Sequence, residues 1–156
     1  MGKYTKILYI KGNPFCSGSN ILLCINIQKN IYSAKGGKFV KEILYERIAI
    51  LEQNGVISPK AAAYSRHVTD LILAADEDVS QDKMEMFITH LAMAAQRAEE
   101  GTEENPMDEA LLESIREEPA YEKAVELRDR ILAETDIAFP KTEQDFLSVH
   151  LCNLLS

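Results

Sequence analysis

Two histidines offer the chain's most promising chemistry. His90 lies in the run THLAMAAQR (Thr89 to Arg97) and His150 in FLSVHLCNLL (Phe146 to Leu155), and each is followed directly by Leu. Imidazole is the side chain whose unperturbed charge change falls near neutral pH, so it serves as acid, base, ligand or nucleophile there. Two such rings in equivalent apolar settings suggest paired use. Residues seven apart lie about two helical turns apart and share a face. On a helix, Arg97 therefore falls on the side of His90, and Glu143 on the side of His150. Phe87, Met93 and Ala94 crowd the first histidine, and Phe146, Leu147 and Leu154 the second. Both rings are expected at the edge of an apolar groove, partly shielded from water.

Four uses compete. Either histidine taken alone reads first as a satisfied core or interface residue. A metal centre needs three or four ligands, and neither histidine has a His or Cys four residues away on its own helix. No metal and no cofactor is therefore expected. A hydrolytic triad lacks a nucleophile, because no Ser or Cys sits in a motif such as GxSxG. No acid, base and nucleophile set can be assembled, so the chain does not read as an enzyme. The remaining use is phosphate acceptance. A neutral imidazole nitrogen is a good nucleophile, and the transferred group brings charge to a helix interface, a local change with a global readout.

The elements that would carry these residues are helices. In Val40 to Asn54, Ile43, Leu44, Ile48 and Leu51 form a helical stripe that Gly55 ends. Ser58-Pro59 joins an N-cap residue to Pro at the first helical position, opening a helix to about Asp76. Ala63, Val68, Leu71, Ile72 and Ala75 are its core candidates. A third helix runs from near Ser80 to about Glu100, with Met84, Phe87, Leu91 and Ala94 inward, and stops at Gly101. Asn105-Pro106 repeats the cap-plus-Pro signal before a short helix to about Glu117. Glu118-Pro119 opens another, with Tyr121, Ala124, Leu127 and Ile131 on one face. After Pro140, Thr142 and Asp145 resemble a capping box for the last helix. The expected product is an all-α bundle with short connections.

Composition divides the chain. Residues 1–39 hold six Lys, no Arg and no acidic residue. Residues 40–156 hold 11 basic and 25 acidic residues, a formal charge of −14. The first part has no sustained helical period and only short candidate strands, Lys6 to Ile10 and Ile21 to Ile27. Ile21 to Ile27 is too short for a signal peptide. A basic arm for nucleic acid is an alternative, although its Lys are scattered. The favoured reading is a non-domain extension of translated upstream DNA. Lys35-Gly36-Gly37 can be encoded as a bacterial ribosome-binding sequence, and Val40 follows as an alternative start. Intact mass of the natively expressed protein tests this.

The acidic remainder argues against direct nucleic-acid binding. Cys16, Cys24 and Cys152 form no CxxC, and an odd count reads as free thiols in the cytoplasm. No apolar run reaches a membrane span.

From about Ser58 to Leu155 the residues resemble the PTS regulation domain, or PRD, family. The resemblance rests on an ordered set: His90, Leu91 and Arg97, then Gly101, Asn105-Pro106, Pro119 with Tyr121, and finally Pro140, Glu143, Phe146 and His150 to Asn153. It implies a bundle of five core helices, here with a short N-terminal helix added, and self-association as a dimer. It implies phosphorylation of His90 and His150 by the phosphocarrier HPr or by enzyme II components. Arg97, Asn105 and Glu143 would then be the polar residues around the acceptors, and His67 would lie outside them. Many members carry Asp before the first histidine, where this chain has Thr89. In the family the domain usually occurs as tandem copies joined to an RNA-binding or helix-turn-helix module. A single copy predicts a stand-alone regulator of carbohydrate-gene transcription acting through a partner protein. The alternative is a scaffold in which both histidines serve packing.

Overall fold

The computed structural model describes residues 40–76 and 78–156. The candidate strands, Cys16, Cys24 and the rest of the 1–39 extension lie outside the described residues. Six helices follow one another: α1 (Val40–Gln53), α2 (Pro59–Ala75), α3 (Gln81–Glu100), α4 (Glu109–Arg116), α5 (Tyr121–Leu132) and α6 (Lys141–Leu155). No strand occurs among the described residues, and the fold is the expected all-α bundle.

Helix α3 is central. It packs against α1, α2 and α6, while α6 also packs against α5 and α4. Leu44, Ile48 and Leu51 of α1 repeat at i, i+4 and i+7 and are buried. Two glycines end helices. Gly55 (φ 69°) and Gly101 (φ 70°) are the positive-φ residues among those described. The backbone N–H of Val56 donates to the Leu51 carbonyl at 2.9 Å, and that of Gly55 to Glu52 at 3.0 Å. Thr102 and Gly101 repeat the pattern on Arg97 and Ala98, at 2.9 and 3.3 Å. Both are Schellman caps, which need a left-handed residue that glycine adopts without steric cost.

Helix α2 begins as its sequence predicts. Ser58 Oγ accepts from the Ala61 N–H at 3.0 Å, with Pro59 at the first position. Its buried face is Ala61, Ala62, Tyr64, Ser65, Val68, Thr69 and Ile72. Ala63 and Ala75, expected in the core, are exposed, and Leu71 is half-buried. The small residues Ala61 and Ala62 meet the neighbours instead, and Ser65 and Thr69 satisfy their hydroxyls on the carbonyls four residues back, each at 2.8 Å. Tyr64 Oη donates to the Ile131 carbonyl at 2.8 Å, fixing α2 to the end of α5.

Three helix starts differ from the sequence reading. The fourth helix is capped by Asp108, whose carboxylate accepts from the Leu111 N–H at 3.2 Å, and not by Asn105. A residue before proline is biased to extended backbone, so Asn105-Pro106 continues the connection. Helix α5 begins at Tyr121, after a turn at residues 117–120. It buries Ala124 and Ile131, while Tyr121 and Leu127 stay half-buried. The capping box at α6 does not form. Thr142 donates to Glu103 and Asp145 pairs with Lys141, leaving Pro140 as an N-cap without a side-chain bond. The α3–α4 connection supplies a stronger partner than the helix's own N–H groups.

Helices α3 and α6 pack against each other along a seam, and Leu91 on α3 and Leu147 and Leu151 on α6 are 0–1% exposed in the core. Each contributes on the order of 1.5–3 kcal/mol by leaving water. That seam fixes the register of the two histidine-bearing helices.

Candidate functional site

The register places His90 and His150 against each other. Their ring centroids are 4.0 Å apart and their planes differ by 17°, a face-to-face stack. The rings border an open cleft of about 300 Å³ between α3 and α6, floored by Ala94 and Leu147 and flanked by Phe146. His90 is exposed at the mouth and His150 is half-buried. Among the described residues neither ring is paired with a carboxylate. His67, by contrast, lies on the surface with Nε2 3.1 Å from Glu134 and takes no part in the cleft.

Both imidazoles are held neutral. Burial pushes His150 down to about 4, and the neighbouring His90 adds to the effect. His90 is also lowered, first because the stack strips water from its ring and then because Arg97 stands nearby; Glu104 opposes this. At neutral pH each ring therefore carries a nitrogen lone pair.

The cleft's charges cross between helices. Arg97 Nε donates to Glu143 Oε1 at 2.6 Å and Nη2 to Oε2 at 2.8 Å, a bidentate fork. The Glu143 side chain is 0% exposed. A buried carboxylate is costly unless it is paired and hydrogen-bonded, and Glu143 takes a third bond from the Glu104 backbone N–H at 3.1 Å. The remaining arm of Arg97, Nη1, lies 3.5 Å from Glu104 Oε1. In turn the Glu143 carboxylate raises the Arg97 pKa further, so the guanidinium is a fixed positive charge.

Of the five polar positions singled out from sequence, four meet in this cleft: His90, Arg97, Glu143 and His150. Asn105 is exposed on the α3–α4 connection and does not line it. Its neighbour Glu104 does, and sequence reasoning missed it. Glu104 lies in a polar connection with no periodicity to mark its direction. The Schellman turn at Gly101 carries the chain back over the end of α3 and brings Glu104 to Arg97.

A family model for the PRD domain matches residues 72–154, just over half of the chain. The chain belongs to the PRD family, whose domains are regulatory modules linked to the phosphotransferase system rather than catalysts. No curated protein and no solved structure matches it. The match begins within α2, although α1 and the first half of α2 contribute to the same core. Among the described residues no helix is long and apolar enough to cross a membrane.

Proposed function

We propose that the α3–α6 cleft is a phosphoacceptor site, with His90 and His150 as acceptors and HPr or enzyme II components as donors. The observation that carries this reading is the pair of neutral imidazoles beside an arginine whose fork is locked by a buried carboxylate. A neutral ring nitrogen attacks phosphorus, and a fixed guanidinium stabilises the added charge. Arg97 and Glu143 are then positioning residues, and Asn105 serves the connection that carries Glu104. The regulator works in the cytoplasm as a homodimer, through a partner protein that controls transcription of carbohydrate-use genes. Residues 40–156 are its working unit, and residues 1–39 are a non-domain extension.

Incubating wild type, His90→Ala and His150→Ala with HPr and its phosphorylating enzyme, then with enzyme II components, tests the reading. Acid-labile label that is lost in a single-histidine variant supports it. No label from any donor favours the scaffold alternative, in which the stacked rings serve only to pack α3 against α6.

A further inference from the structure

We infer that the two histidines form a single-capacity acceptor, in which a phosphoryl group on either ring excludes one on the other. This rests on the cleft being a phosphoacceptor site, and it assigns the regulation within that site.

Three observations carry it. The first is distance. Ring centroids 4.0 Å apart and nearly parallel leave no room for two phosphoryl groups without bringing them close together. Each adds about −1.5 to −2 charge at neutral pH, well inside a screening length of roughly 8–10 Å. The rings are held close, because α3 and α6 pack against each other with Leu91, Leu147 and Leu151 buried and are tied across by the Arg97–Glu143 fork.

The second is the charge inventory. Among the described residues Arg97 is the cation that lines the cleft, and two carboxylates, Glu104 and Glu143, line it as well. Two of its five N–H donors are committed to Glu143, which leaves the Nη1 arm, with the outer N–H of Nη2 beside it, open to a newcomer. A first phosphoryl group takes that arm and displaces the exposed Glu104 carboxylate, 3.5 Å away. A second group finds no cation and an excess of negative charge.

The third is chemical. A dianion beside the unmodified ring favours the protonated form of that ring. The imidazolium hydrogen-bonds the phosphoryl group but has no lone pair with which to attack a second donor. The neighbour thus becomes a stabilising partner of the first modification.

The test uses the full chain carrying His67→Ala, which removes the third histidine and lies outside the cleft. The probe is potassium phosphoramidate, which needs no protein donor. The neutral ring nitrogen forms a new N–P bond, the donor's N–P bond breaks, and ammonia leaves with the bonding electron pair. Intact mass at saturation then counts phosphoryl groups on this parent and on its His90→Gln and His150→Gln derivatives. The expected result is one group on each single-site derivative, one per chain on the folded parent shared between both histidines, and two on the parent denatured in urea. Two groups on the folded parent overturn the inference and leave the acceptor site standing. No group on one folded derivative also overturns it, since one histidine would never have been an acceptor. Finding no group on any folded protein overturns this inference, while the acceptor reading itself stands or falls on the labelling by HPr and enzyme II components.

Discussion

His67 and the His90–His150 pair are the same side chain in two kinds of surroundings. His67 projects from α2 to the surface and meets Glu134, the two side chains being 52% and 44% exposed. The other two face each other at the α3–α6 seam, with no carboxylate among the described residues paired to either ring. The negative charge of that region is given to Arg97 instead, through a Glu143 side chain with no exposure. An exposed pair exchanges one solvated arrangement for another and gains little. A buried carboxylate has no such fallback, so its partner becomes obligatory. The cleft is thus a place where polar groups are held in position by necessity, and the His67 surface is one where they are optional.

The largest effect expected from this contrast is at Arg97. Arg97→Ala strands Glu143 in the core and should destabilise the protein by about 3–5 kcal/mol in urea unfolding. A loss no larger than that of a surface pair would show that the seam relaxes around the carboxylate.

Next comes the pH response. The folded-state pKa of His150 lies below its ordinary value of 6.5, at about 4, so the unfolded chain binds more protons between those limits. Stability from this group is complete above about 6.5, falls as pH drops, and levels off below about 4. The loss is on the order of 3 kcal/mol. Urea unfolding across this window should show it in wild type and not in His150→Gln, after subtraction of the carboxylate titrations both proteins share. A flat difference between the two proteins would contradict the burial argument.

A smaller change sharpens the role of the fork. Arg97→Lys keeps the charge and loses the planar bidentate contact, at a cost of about 1–2 kcal/mol, readable by thermal unfolding. An effect as large as that of alanine would mean that geometry, and not charge, stabilises Glu143.

The smallest effect belongs to the surface. His67→Ala should shift stability by less than about 0.5 kcal/mol, because an exposed pair is screened and mobile. A loss above 1 kcal/mol would erase the distinction between the two regions.

Much of the fold was legible because helices are built from local rules. The Leu44, Ile48 and Leu51 stripe, the Ser58 cap with Pro59, and the stops at Gly55 and Gly101 all depend on residues within a turn or two of one another. The starts of α4 and α6 were misread where a local signal met a competitor. Asp108 outbids Asn105 as a cap, and Glu103 draws Thr142 away from the backbone of its own helix. The competitor of Thr142 lies 39 residues away, beyond any spacing rule. Ala63 and Ala75 were misplaced because a stripe of small apolar residues does not say which side of α2 faces the core.

The site divides in the same way. The sequence by itself determined that His90 shares a helix face with Arg97, and His150 with Glu143, because 3.6 residues per turn fixes neighbours along one helix. It determined nothing about which face meets which. Only the tertiary structure decided that the histidines stack, that Arg97 grips Glu143 across the seam, and that Glu104 folds back beside them. Those pairings follow from packing α3 on α6 with Leu91, Leu147 and Leu151 buried, and a hydrophobic seam is non-directional until the whole bundle fixes its register.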